Sequence, residues 1–119
     1  MRPIDKFKKV RDDYVIRQVE KIDLPDFEED RFVRRHIIFS GRVQHIGFRL
    51  EIEQLAKKLE LTGWVKNLEN GDVEAEFQGF ESRIRFLLKF MRSLKRIKIK
   101  SMENKPKSQK QNETDFVII

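Results

Sequence analysis

A short stretch in the middle of the chain, GRVQHIGFR at residues 41–49, combines two glycines, two arginines and a histidine. It separates an alternating apolar run from residues with the spacing of one helix face, so it is predicted to join a strand to a helix. A helix N-terminus offers unpaired backbone N–H groups, and Arg49 in the first helical turn adds a cation that can bind phosphate through two hydrogen bonds. These features suit an anion. On the residues alone, a plain strand-to-helix connection with a solvated arginine is the more frequent case.

The periodicity around this stretch predicts a compact alternation of strands and helices, punctuated by glycines. The strongest hairpin signal is Asn70-Gly71 between two strand-like runs. The predicted elements are a strand at 35–40, a helix from residue 48, hairpin strands at 63–70 and 72–79, a second helix after residue 79, a strand at 96–100, a polar loop at 104–113 and a closing strand at 115–119. This order predicts an α+β fold, a ferredoxin-like βαββαβ sandwich with two helices on one face of an antiparallel sheet.

The first 34 residues fit this pattern less well and are interpreted as an N-terminal extension before a domain at 35–119. Ile4, Phe7, Val10 and Tyr14 have the spacing of one helix face, and LPDFEED resembles an acidic linker. We expect the helix to dock on the domain through these apolar residues, with a surface that waits for a partner as the alternative.

Composition excludes several classes of function. The 119 residues suffice for one domain, and hydrophobic and charged residues each make up 39%. The absence of cysteine removes disulfides and thiolate chemistry, and two histidines are too few for a zinc site, so we expect no metal and no cofactor. No signal peptide or apolar span is visible, which predicts a cytoplasmic protein without membrane contact. We expect a monomer.

Several motifs taken together resemble one family. The pattern GRVQ-x-x-GFR is followed by a helical segment, then GWVKN, an Asn-Gly turn and DVEAEFQG. This combination resembles the acylphosphatase family over roughly residues 35 to 119. The resemblance implies a metal-free hydrolase that cleaves acyl phosphates to a carboxylate and phosphate, so an acyl phosphate or inorganic phosphate is the expected ligand.

The resemblance also implies roles for individual residues. Arg49 would bind the phosphoryl group and Asn67 would orient the attacking water. The backbone amides of a phosphate-binding loop would share the phosphoryl group with Arg49, and the residues of that loop are Gln44, His45, Ile46, Gly47 and Phe48. A carboxylate leaving group needs little protonation, so positioning and charge stabilisation are sufficient.

His45 is the departure from the family pattern, which usually has glycine at this position. If the backbone there needs a positive φ angle, a histidine adds strain on the order of 1 kcal/mol or shifts the loop. The favoured interpretation is a side chain that simply points to solvent. The sharper hypothesis is an imidazole that attracts phosphate in a pH-dependent way.

The distribution of charge along the chain indicates an alternative function, the binding of an anionic partner. Residues 83–110 contain eleven basic side chains and one acid, while residues 1–33 carry a net charge of −1. Such a region could bind nucleic acid or an acidic partner, through an acylphosphatase-like domain without catalytic activity. The predicted strand RIKIK at 96–100 carries no aromatic residue on which a base could stack, so solvated strand lysines are sufficient explanation.

Overall fold

A computed structural model describes residues 2–119, so only Met1 of the predicted extension lies outside it. The elements in chain order are α1 (Pro3–Glu20), β1 (Phe32–Arg42), α2 (Phe48–Lys58), β2 (Thr62–Asn67), β3 (Val73–Phe80), α3 (Glu81–Ser93), β4 (Lys98–Lys107) and β5 (Phe116–Ile118). The strands form one sheet in the order β4-β1-β3-β2-β5. The predicted α+β arrangement is confirmed. Its closing strand pairs parallel to β2 while the other pairs are antiparallel, so the sheet is mixed.

The core lies between the sheet and the two helices α2 and α3. Each helix buries the apolar face that its periodicity predicts, and alternate residues of the central strands point toward it. Fully burying one such side chain contributes about 1.5–3 kcal/mol. The principal core residues are Ile37, Phe39, Ile52, Leu55, Leu59, Val65, Val73, Ala75, Phe77, Leu87 and Met91.

Residues that alternate with this core set form a buried ion-pair network on the other side of the sheet. Arg34 Nε donates to Glu76 Oε1 at 2.7 Å, and Arg34 Nη1 donates to Glu113 Oε1 at 2.8 Å. Glu113 comes from the segment between β4 and β5, so that segment covers Arg34. Burial opposes ionisation of Glu113, but the hydrogen bond from Arg34 holds the pKa of that carboxyl below its usual value.

The predicted polar loop at 104–113 is wrong in its first half, because β4 continues to Lys107. The strand also begins at Lys98 and not at residue 96. Every side chain of β4 is exposed or half-buried, and its second half, residues 103–107, shows no apolar alternation. Backbone pairing with β1, from Arg42↔Lys98 to Arg34↔Lys107, holds the strand in place. Lysines and a proline on such an edge strand prevent pairing with another chain.

A helix forms in the N-terminal segment, but it docks through different residues from those predicted. Ile4, Phe7, Val10 and Tyr14 are all exposed, while Val15 and Val19 are buried against the domain. β1 begins at Phe32, so the predicted boundary at residue 35 falls inside a strand. No helix within residues 2–119 is long and apolar enough to cross a membrane.

The C-terminal end of α1 is fixed by one lysine of α2. Lys58 Nζ donates to the backbone carbonyls of Val19, Glu20 and Ile22, at 2.9, 3.0 and 2.5 Å. The Val19 carbonyl also accepts from the backbone N–H of Ile22 at 3.1 Å, and a cation at a helix C-terminus compensates the helix dipole. The extension is therefore attached to the domain at a defined position.

Candidate active site

The loop between β1 and α2, residues 43–47, places the N-terminus of α2 at the wall of a cavity. Gly47 precedes the helix with a φ of 81°, a left-handed conformation that favours glycine. A Cβ at this position would lie 3.3 Å from Val15 Cγ2 of α1, so the space is also limited. No side chain of residues 2–119 caps this helix N-terminus, and the backbone amides of residues 44–48 donate to no backbone carbonyl. These N–H groups are available to an anion.

Hydrogen bonds from one side chain of the β1–α2 loop and from two arginines elsewhere in the chain hold this loop. Gln44 Nε2 donates to the carbonyls of Leu68 and Asp72, at 2.9 and 2.8 Å, and so joins the loop to the turn between β2 and β3. Arg96 Nε donates to the carbonyl of Ile46 at 3.2 Å. Arg11 of α1 donates to the carbonyl of His45 at 3.4 Å. The loop carbonyls are thereby turned toward the protein.

The turn that receives Gln44 contains the predicted Asn-Gly pair. The structure forms the expected β2–β3 hairpin, with a connection at residues 68–72 rather than a two-residue turn. Asn70 Oδ1 accepts from the backbone N–H of Asp72 at 3.0 Å, and Gly71 has a φ of 95°. The hairpin therefore positions both the end of β2 and the carbonyls that anchor Gln44.

Arg49 and Asn67 line the same cavity, which has a volume of about 250 Å³. Arg49 stands in the first turn of α2, and Asn67 is the last residue of β2. Asn67 Oδ1 is buried and has no hydrogen-bond partner among residues 2–119. A buried acceptor without a partner is costly, so this oxygen is suited to accept a hydrogen bond from a water or ligand in the cavity.

The remaining predicted loop residues divide into two groups. His45, Gly47 and Phe48 line the cavity together with Arg49 and Asn67. The Gln44 side chain is directed to the hairpin, and the half-buried Ile46 packs against the core, so these two do not line it. Phe48 also belongs to the core, where its ring meets Phe39 edge to face at 5.1 Å.

His45 has a φ of 64°, so the histidine occupies a left-handed conformation, the case in which the sequence predicts strain. Such a conformation in a non-glycine residue costs about 1–2 kcal/mol. The side chain is exposed and lies at the edge of the cavity, while its carbonyl accepts the hydrogen bond from Arg11. The strain is therefore retained in the loop rather than relieved by a shift to negative φ.

A family model described as Acylphosphatase matches residues 35–118. The chain belongs to the acylphosphatase family. The acylphosphatase of Geobacillus kaustophilus is 39% identical over 87 residues, which cover 72% of this chain and 93% of that protein. The acylphosphatase of Geobacillus thermodenitrificans is 51% identical over 55 residues, and there the match spans 46% of this chain and 58% of the relative's length.

Solved structures agree with this assignment. The crystal structure of the acylphosphatase from Bacillus subtilis superposes with a TM-score of 0.68 at 28% identity, covering 73% of this chain and 98% of that one. An acylphosphatase from Coxiella burnetii gives 0.69 at 28% identity, covering 80% and 100%. The predicted family, its ferredoxin-like fold and the hydrolase class of the relatives are confirmed.

One wall of the cavity that Arg49 and Asn67 line comes from outside the region that the family model matches. Lys8, Arg11 and Asp12 of α1 line it opposite the β1–α2 loop, and all three precede residue 35. Arg11 is paired with Asp12 at 3.0 Å. The predicted site contained none of these residues, because the charges of the N-terminal segment resemble those of any solvated helix.

A buried ion pair beneath the loop was also missed. Arg96 Nη2 donates to Glu51 Oε1 at 2.6 Å, and the Glu51 side chain is fully buried. Burial raises the pKa of Glu51, although the hydrogen bond and charge of Arg96 oppose this. The sequence feature that could have predicted this pair is the position of Glu51, between Phe48 and Leu55 on the apolar face of its helix. An acid there needs a buried partner.

Three further side chains of the sheet have structural surroundings. His36 Nε2 lies 2.7 Å from Glu74 Oε2 on the sheet surface. Trp64 is half-buried, with Lys66 Nζ 5.5 Å from the centroid of its ring. Arg42 is exposed at the end of β1. Within residues 2–119, no group of three or more His, Asp or Glu side chains is placed to hold a metal ion.

Proposed function

We propose that this chain is an acylphosphatase, hydrolysing the carboxyl-phosphate bond of an acyl phosphate. The observation that carries the proposal is the convergence of Arg49, Asn67 and the free loop amides on one cavity at the N-terminus of α2. Membership of the acylphosphatase family supports it. The roles of the individual residues follow from their chemistry.

The phosphoryl group would bind between the amides of residues 44–48 and the guanidinium of Arg49. The amides and the helix dipole favour negative charge, and a guanidinium holds two phosphoryl oxygens at once. As charge redistributes over the equatorial oxygens during transfer, donors that are already in place stabilise it without reorganising. The β1–α2 loop acts as a phosphate-binding loop in this scheme.

Asn67 would orient the attacking water. Its buried Oδ1 accepts a hydrogen bond, but a neutral amide cannot remove a proton. The water oxygen bonds to phosphorus while the bond from phosphorus to the acyl oxygen breaks, and its electron pair leaves with the carboxylate. The water proton passes to a phosphoryl oxygen. The products are a carboxylate and inorganic phosphate, so no separate general acid is required.

Phosphate release from benzoyl phosphate tests the proposal. We expect turnover by the wild type and a loss of at least about a hundredfold in kcat/KM for Arg49→Ala and for Asn67→Ala, since each removes a transition-state contact. Arg42→Ala and Asn104→Ala are matched controls, because both side chains are exposed outside the cavity. Equal slow rates of phosphate release in all five proteins would contradict the proposed acylphosphatase activity.

The basic region at 83–110 supports a second candidate, contact with nucleic acid or another polyanion. Three of its arginines have partners within the chain. Arg83 donates to the Leu59 carbonyl, Arg85 pairs with Asp30 at the surface, and Arg96 pairs with the buried Glu51. The remaining charge includes four exposed lysines of β4. Binding of short RNA that weakens with salt would support it. The cytoplasmic location and the monomeric state stay predictions.

A further inference from the structure

α1 is packed directly on the loop that forms the candidate phosphoryl site. Val15 contacts the position of Gly47, and Arg11 donates to the carbonyl of His45. The N-terminal half of the helix therefore runs past the mouth of the cavity, where Lys8 and Arg11 line it.

A second cavity of about 490 Å³ continues from the first along α1. It is lined by Ile4, Phe7, Lys8, Arg11 and His45, and the last three also line the first cavity. Ile4 and Phe7 are 59% and 74% exposed, so they have apolar area available to a ligand. A substrate bound by its phosphoryl group in the first cavity would direct its acyl group into the second.

The charges around the two cavities favour an acyl group with its own negative charge. Arg11 is paired with Asp12, so these two largely cancel. Arg49 is needed by the phosphoryl group. The remaining cation of the two cavities is Lys8. Among residues 2–119 no carboxylate lies within ion-pair distance of Lys8, whereas the neighbouring Lys9 pairs with Asp13 at 3.2 Å. A cation without a partner beside an apolar wall suits an apolar acyl group that ends in a carboxylate.

We propose that α1 forms an acyl-group subsite, with Phe7 and Ile4 as its apolar wall and Lys8 as its cation, that selects acyl phosphates carrying a second anionic group. This inference rests on the proposed acylphosphatase activity. Lys8 and Phe7 are specificity-determining residues in this subsite, and neither takes part in the chemical step. Both lie outside the region that the family model matches.

The role of Lys8 in binding an anionic acyl group is tested with two substrates that differ by one charge, benzoyl phosphate and 4-carboxybenzoyl phosphate. In the wild type, kcat/KM is expected to be higher for the carboxylated substrate. Lys8→Gln should reduce this ratio about three- to fivefold, the effect of one solvent-accessible ion pair. Lys9→Gln is the matched control and should leave the ratio unchanged, since Lys9 lines neither cavity.

The apolar wall is tested by comparing benzoyl phosphate with acetyl phosphate. Phe7→Ala should lower kcat/KM for the benzoyl substrate about fivefold and leave acetyl phosphate unaffected, because only the larger group reaches the second cavity. Val10→Ala is the control, since Val10 is an exposed apolar residue of the same helix that lines neither cavity.

Inhibition by inorganic phosphate separates the two ends of the substrate. Its inhibition constant should be equal in the wild type and in Lys8→Gln. If Lys8→Gln lowers turnover of both benzoyl substrates equally, or weakens inhibition by phosphate, Lys8 acts on the phosphoryl group and the subsite is refuted. An unchanged substrate ratio refutes it as well. Absence of turnover by the wild type on any acyl phosphate would instead refute the enzyme itself.

Discussion

The ion pair between Arg96 and Glu51 lies directly beneath the β1–α2 loop and links its geometry to the stability of the protein. Arg96→Met removes the charge partner of a fully buried carboxylate and the hydrogen bond to the Ile46 carbonyl. Methionine retains a chain of similar length, so little packing is lost. The main consequence is an acid buried between α2 and the loop with no cation beside it.

The size of this effect is limited by protonation of Glu51. A carboxyl with an ordinary pKa of 4.5 can take up a proton at pH 7 for about 3.4 kcal/mol, so the lost charge pairing cannot cost more than that. At pH 5 the same limit is about 0.7 kcal/mol. The lost hydrogen bond to Ile46 adds about 1 kcal/mol at either pH.

The direction in which the stability of Arg96→Met changes with pH follows from the direction of the pKa shift of Glu51. Burial already raises the pKa of Glu51 in the folded protein, and loss of Arg96 raises it further. The folded variant therefore holds a proton that the unfolded chain releases above about pH 4.5, so its stability falls as the pH rises toward the folded pKa.

Urea unfolding of the wild type and Arg96→Met at pH 5 and pH 7 measures this dependence. We expect a loss of about 1–2 kcal/mol at pH 5 and about 3–4 kcal/mol at pH 7. The double variant Arg96→Met/Glu51→Gln has no buried charge, so it should show the smaller loss at both pH values. Equal destabilisation by Arg96→Met at pH 5 and pH 7 would refute the reasoning.

Three further predictions concern the loop and the other face of the sheet. His45→Gly should raise the free energy of unfolding by about 0.5 kcal/mol, measured by urea denaturation, because relief of the left-handed strain exceeds the added entropy of the unfolded chain. If the His45 imidazole attracts the anion, the dependence of phosphate affinity on pH between pH 5.5 and 8 should differ between the wild type and His45→Gly. Identical profiles in the two proteins remove that hypothesis. Glu113→Gln should cost about 1–2 kcal/mol at pH 6, because it breaks a charged hydrogen bond to Arg34. The pKa of Glu113 is lowered, so its contribution is present above about pH 4.5 and is lost below it; the variant should therefore lose less stability than the wild type between pH 6 and pH 3, and an equal loss would contradict the assignment.

The parts of the fold that sequence periodicity predicted are those in which one face of an element is buried. Both α2 and α3 show a continuous apolar stripe, and the hairpin strands alternate, so burial leaves a readable pattern. β4 lacks this pattern over most of its length, because backbone hydrogen bonds to β1 hold a strand whose side chains face water. The polar second half of β4 therefore has the composition of a loop, which is why the sequence predicts one there.

The docking of α1 could not be predicted for a related reason. Its most regular apolar stripe, from Ile4 to Tyr14, is exposed. Contact with the domain is made by Val15, Val19, the hydrogen bond from Arg11 and the Lys58 contacts with the last carbonyls of the helix. Two valines produce no periodic signal in an 18-residue helix. Only the arrangement of the neighbouring loop, with a glycine opposite Val15, makes these positions the ones that fit.

The two ends of the proposed substrate are handled by different parts of the chain. Groups for the phosphoryl end, Arg49 and Asn67, stand on α2 and β2 inside the family-matched region, fixed by core packing. Groups for the acyl end stand on α1, which is held through Val15, the hydrogen bond from Arg11 and the Lys58 contacts. Weakening that attachment, as in Lys58→Met, should therefore reduce discrimination between acyl groups while inhibition by inorganic phosphate stays constant. A rise in the phosphate inhibition constant in this variant would instead mean that α1 supports the loop itself, and that the two ends are coupled through the strained backbone at His45.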